Sequence, residues 1–165
     1  MSSKALLIGI VLSFGLLFGA AFWFSKPQPA APAVASASIG QLTTTETFYD
    51  FGTISMKKGP VSYKFTVTNS DSVPATVTKL YSSCMCTKGT LITPDKTWGP
   101  FGMPGHVAIP SIAAEIASGK SAQIEVIFDP AAHGPAGVGK IDRTVTAELN
   151  GQSPLLFSFS ANVTP

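Results

Sequence analysis

Charge is scarce in this chain, with 11 Lys and Arg against 9 Asp and Glu. Lys4 and Lys26 flank an apolar N-terminal run, and without them the remaining body is neutral. A neutral body has no basic patch to meet a phosphate backbone, which excludes nucleic-acid binding, and it has no polybasic pull toward anionic lipid. Arginine occurs once, as Arg143. Imidazole and thiol are nearly as rare: His106 and His133 are the only histidines, Cys84 and Cys86 the only cysteines. A Cys…Trp…Cys spacing is missing, so an inter-sheet disulfide of the antibody type cannot hold the core. No Gly-x-Ser-x-Gly elbow is present, which leaves a hydrolase reading without support. Long helical periodicity is also missing from residue 41 onward.

The one long apolar run is residues 5–24, free of charge throughout. Twenty helical residues at about 1.5 Å each span about 30 Å, the thickness of a bilayer's hydrocarbon core. Lys4 precedes the run and Trp23 closes it, as an interfacial aromatic would. The expected organisation is a cytoplasmic stub at 1–4, a transmembrane helix at 5–24, a Pro/Ala-rich linker at 25–40 and a folded body at 41–165. This makes a single-pass protein of the cell membrane whose C-terminal body is extracytoplasmic. The alternative is a signal peptide cleaved near Ala33-Val34-Ala35 or Ala35-Ser36-Ala37, although both sites lie far beyond the run. Either reading exports the body. Residues 26–38 have no large aliphatic or aromatic residue, and their prolines hold the stretch extended as a spacer.

The body alternates with period two. Val61, Tyr63, Phe65 and Val67 interleave with polar residues up to the turn-forming Asn69-Ser70-Asp71-Ser72. Ala122, Ile124, Val126 and Phe128 do the same before Asp129-Pro130. Ile141, Arg143, Val145, Ala147 and Leu149 form a third run, and Leu155, Phe157, Phe159, Ala161 and Val163 a fourth. Asn150-Gly151 between these two signals a hairpin. With weaker strands at 43–49 and 75–81, the pattern gives about seven short strands and an all-β, antiparallel sandwich of immunoglobulin type. Residues 93–118 break the rhythm and are expected to form an ordered functional loop. Within it 111–117 is expected to form a short helical turn, with Ser111 as its N-cap and Gly119 as its stop.

Several motifs occur in a fixed order: Phe48-Tyr49-Asp50-Phe51-Gly52-Thr53-Ile54, Phe65-Thr66-Val67-Thr68-Asn69, Ser83-Cys84-Met85-Cys86-Thr87, Gly119-Lys120-Ser121-Ala122-Gln123-Ile124 and Phe128-Asp129-Pro130. In this the chain resembles the bacterial domain-of-unknown-function family DUF1573, with its Phe-Asp-Phe-Gly-x-Ile opening and later Ser-Cys-x-Cys-Thr. The resemblance covers about 45–163. It implies an exported immunoglobulin-like domain and no particular activity. Met85 stands where many members have Gly, and the Gly102-Met103-Pro104-Gly105-His106 loop looks like an insertion.

Two cysteines on one regular strand share a face with Cα atoms about 6.6 Å apart, at the outer edge of disulfide geometry. Two free thiols on one face suit a soft ion, copper as Cu(I) first and Zn(II) second. The candidate metal ligands are Cys84, Cys86, Met103 and His106, with His133 a possible fifth, since all lie in or beside irregular chain. Met85 becomes a ligand only if the strand ends there. Two other functions are consistent with the sequence. One is a non-metal adhesion or scaffold module that binds an envelope partner. The other is a thiol–disulfide redox protein, for which only Lys79 and Lys88 lie nearby as activating cations. The expected task is binding, not catalysis. Arg143 is expected to hold the 130–140 loop.

Overall fold

The computed structural model of the protein describes residues 40–165. The expected stub, membrane run and almost all of the linker lie outside these residues. Among the described residues no helix is long and apolar enough to cross a membrane. The body forms ten strands: β1 (Leu42–Thr43), β2 (Phe48–Ser55), β3 (Val61–Asn69), β4 (Ala75–Ser82), β5 (Thr87–Ile92), β6 (Thr97–Phe101), β7 (Ala114–Ile116), β8 (Ser121–Phe128), β9 (Gly139–Leu149) and β10 (Gln152–Thr164). They pair into two five-stranded sheets, β1-β3-β8-β5-β6 and β2-β10-β9-β4-β7.

The four alternating runs become β3, β8, β9 and β10, and each turns its apolar phase inward. Phe65, Val67, Ile124 and Val126 of the first sheet are fully buried, as are Val145, Phe157 and Phe159 of the second. Register keeps the faces matched, with Phe65 opposite Ile124 and Val67 opposite Ala122. Aromatic pairs cross between the layers: Phe65 to Phe157 at 5.1 Å and Phe128 to Phe159 at 5.3 Å between ring centroids. Spacings of this kind add to area burial through the ring quadrupoles. Asn150-Gly151 turns β9 into β10, with Gly151 at φ 69° taking the left-handed position.

The sandwich departs from the antiparallel expectation at one pairing. β2 runs parallel to β10, with Tyr49 opposite Phe159. Strands joined by tight turns must be antiparallel, whereas these two come from opposite ends of the domain and escape that constraint. Segment 93–118 also departs from expectation. It contributes β6 and β7, and 111–117 forms no helical turn. Ala114 and Ile116 are buried around exposed Glu115, the period-two signature, and they pair with Val77 and Ala75 of β4. Gly119 takes φ 69° as the turn into β8 and does not end a helix. Asn69 is fully buried and satisfied: Nδ2 donates to the carbonyls of Val73 (2.9 Å) and Ile116 (2.8 Å), and Oδ1 accepts from the Asp71 N–H (3.0 Å).

One irregularity prepares the site. The β4–β9 register shifts between Val77 and Lys79. A bulge of this kind adds one residue and flips the side-chain phase. Upstream of it Ala75 and Val77 face the core, and downstream Leu80 and Ser82 do so. Ser82 therefore reaches the end of β4 pointing inward.

Candidate metal centre

Cys84 and Cys86 do not lie on a regular strand. They occupy the short link from β4, in one sheet, to β5, in the other. The link is a tight turn closed by the Thr87 N–H donating to the Cys84 carbonyl at 3.1 Å. The buried Ser82 hydroxyl is shared between the carbonyls of Cys84 (2.9 Å) and Thr87 (2.7 Å). Ser83 is laced to β9, its N–H donating to the Thr144 carbonyl at 2.9 Å and its Oγ accepting from the Thr144 N–H at 3.0 Å. These bonds fix the turn from both sides and explain why small hydroxyl residues precede the first cysteine.

His133 arrives from the β8–β9 connection. The Asp129 N–H donates to the Cys86 carbonyl at 2.9 Å, tying the start of that connection to the cysteine turn. Asp129 Oδ1 accepts from the Ala131 N–H at 2.9 Å, and the Gly134 N–H donates to the Ala131 carbonyl at 2.9 Å, so the chain coils back. This places His133 Nε2 3.2 Å from Cys84 Sγ. The ligand atoms of Cys84, Cys86 and His133 all lie within 4.8 Å of one another. Cys86 is buried, Cys84 half-buried and His133 exposed.

Arg143 of β9 lines the same cleft as Cys84 and interacts with both cysteine side chains. Burial alone would pull its guanidinium down, but the Cys86 and Cys84 side chains outweigh burial and keep it a cation. Its Nη1 donates to the Asp142 carbonyl at 2.7 Å, while its buried Nε–H has no partner among the described residues. The two thiols diverge in acidity. Burial pushes Cys84 up, yet hydrogen bonds from the Cys86 side chain, His133, the Cys86 N–H and Arg143 together bring it down to about 7. Burial, joined by the neighbouring Cys84 sulfur, pushes Cys86 up against the opposing pull of Thr87 and Arg143. The pair therefore holds a single negative charge far more readily than two.

The turn opens onto a cleft of about 380 Å³ lined by Ser83, Cys84, Met85, Met103, His106, His133, Asp142 and Arg143. All four ligands expected from the sequence are thus at or beside one site. The close group, however, is Cys84, Cys86 and His133, while Met103 and His106 stand on the cleft wall. The Ser82 N–H donating to the Gly102 carbonyl at 3.0 Å brings that wall to the turn. Met85 sits at the exposed tip. Sequence reasoning gave Arg143 a loop-holding role. Its signal was visible: it is the one charged residue on the inward phase of the Ile141–Leu149 run.

Topology and site together define an immunoglobulin-like β-domain that carries a two-thiol, one-imidazole cluster where its sheets are joined. Residues 42–100, a shorter stretch than the 45–163 of the expected resemblance, match the family described as "Protein of unknown function (DUF1573)". No curated protein matches. Among solved structures, the chain is similar to a protein of unknown function from Porphyromonas gingivalis W83, with TM-score 0.55, 16% identity and coverage of 81% of this chain and 51% of that one. It is also similar to a family 123 glycoside hydrolase from Clostridium perfringens, with TM-score 0.48, 12% identity and coverage of 71% and 22%. A third is an ASH/PapD-like domain of human CEP192, with TM-score 0.45, 13% identity and coverage of 84% and 92%. The chain thus spans about half the length of the Porphyromonas protein. At 16% identity the likeness to the Porphyromonas protein speaks of fold alone.

Proposed function

We propose that the domain is a stoichiometric binder of a cuprous ion, held by Cys84 Sγ, Cys86 Sγ and His133 Nε2. The observation that carries the reading is the mutual approach of these three atoms within 4.8 Å. Metal–ligand bonds of about 2.0–2.3 Å in a trigonal arrangement need ligands about 3.5–4 Å apart, so the three atoms already stand near the spacing a bound ion requires. Two thiolates and one imidazole are a soft donor set, which favours Cu(I). Low thiol acidity would oppose loading, and the single negative charge already favoured on the sulfur pair works the other way. The charge-free run at 5–24 supports an extracytoplasmic, membrane-tethered setting for this binder, with an envelope protein as donor or recipient of the ion.

The test is titration of the reduced full chain with Cu(I) against a competing chelator. One ion per chain is expected. The double variant Cys84→Ser/Cys86→Ser should lose binding, and retained wild-type affinity would end the proposal.

The same closeness of the two sulfurs favours one second reading, thiol–disulfide exchange. There Cys84 and Cys86 would join as a disulfide, passing two electrons and two protons to a partner disulfide that leaves as two thiols. A thiol count after equilibration with glutathione buffers tests it. Two free thiols across the whole physiological range would dismiss it.

A further inference from the structure

The cluster is asymmetric in charge, because a fixed cation stands behind it. Two thiolates and a neutral imidazole around Cu(I) form a complex with one net negative charge. The same ligands around Zn(II) form a neutral one. Arg143 lines the cleft beside Cys84, an arginine is charged at any physiological pH, and among the described residues its buried Nε–H has no partner. Buried polar groups normally find a partner, so this donor is matched to an acceptor that binding would supply. Thiolate sulfurs bridged to a monovalent ion keep lone pairs and excess negative charge for such a donor, whereas sulfurs neutralised by a divalent ion keep less. The other charged group on the cleft, Asp142, is exposed, and its backbone carbonyl already holds Arg143 Nη1. The guanidinium is thereby anchored at one end, on the wall of the cleft that Cys84 also lines.

We infer that Arg143 is the specificity-determining residue of the site: it balances the charge of a two-thiolate complex of a monovalent soft ion and so selects Cu(I) over Zn(II). This deepens the metal-binding proposal and rests on it. A lysine in its place would keep the charge but lose the planar fork that spans two sulfurs. The inference also covers Ag(I), which carries the same charge and softness without redox chemistry.

The experiment compares the detergent-solubilised full chain with Arg143→Gln and Arg143→Lys, using chelator competition for Cu(I), Ag(I) and Zn(II) in parallel. Loss of a charge-assisted contact should weaken Cu(I) and Ag(I) binding by about 10- to 100-fold in Arg143→Gln. Zn(II) affinity should stay the same or rise. Arg143→Lys should fall between wild type and Arg143→Gln for the monovalent ions, which a purely structural role for the side chain would not produce. Thermal unfolding of each variant accompanies the titrations, and the Lys variant carries the test if the Gln variant does not fold. Equal losses for monovalent and divalent ions, or none, would overturn the inference while leaving metal binding intact. Absence of Cu(I) binding by the wild type would instead remove the reading beneath it.

Discussion

The acidity of Cys84 gives the most detailed prediction. An unperturbed thiol titrates near pH 8.5, and in the fold Cys84 comes down to about 7. That difference corresponds to about 2 kcal/mol between protonation states. The sulfur is partly open to solvent, so screening reduces its effect on stability to about 1 kcal/mol. The sign follows from which form the fold prefers. Folding lowers the Cys84 value, so its contribution is fully present above the unfolded value and is lost as pH falls through about 7. Folding raises Cys86, so that contribution is present below the ordinary thiol range and lost as pH climbs through its raised value. Stability of the metal-free, reduced protein should therefore rise from about pH 6 to about pH 8 and fall again at higher pH. Cys84→Ser should flatten the rise. Alkylation rates across pH give the direct assay: one thiol should react with a midpoint near 7, well before the other. A first midpoint at or above that of free cysteine would refute the reasoning, because the contacts of Cys86, His133 and Arg143 with the sulfur would then be ineffective.

The ligand set can be divided by two histidine substitutions. His133→Ala should weaken Cu(I) about tenfold or more, and His106→Ala should change it little, as read by chelator competition. Asn69→Ala removes the partner of the buried Ile116 carbonyl, the part-buried Val73 carbonyl and the Asp71 N–H and should cost about 2–4 kcal/mol in urea unfolding; a loss under about 0.5 kcal/mol would contradict the hydrogen-bond assignment.

How much of this was legible in the sequence depends on whether local pattern or long-range pairing decided the matter. Phe65, Ile124, Val145 and Phe157 announced their burial through strict alternation, because a strand's side-chain period is fixed by its backbone. The parallel pairing of β2 with β10 had no local sign, since strand direction across the whole domain is settled by packing. Ala114 and Ile116 were too short a run to outweigh a plausible helical turn at 111–117. At the site, Cys84 and Cys86 were legible as chemistry but not as geometry. The register shift after Val77, which turns Ser82 inward and ends the strand, arises from pairing with β9 and leaves no mark in residues 75–82. His133 and His106 looked alike in sequence, each beside Gly and Pro. Asp129, bonded to the Cys86 carbonyl, is what brings the first of them to the sulfurs.

The central claim is that one soft ion sits among two sulfurs and one imidazole nitrogen. X-ray absorption on the Cu(I)-loaded full chain measures this directly. The account predicts a three-coordinate shell of two sulfurs and one nitrogen at about 2.0–2.3 Å, with the nitrogen lost in His133→Ala. A shell of oxygen and nitrogen donors alone, or a sulfur shell unchanged in Cys84→Ser/Cys86→Ser, would contradict it.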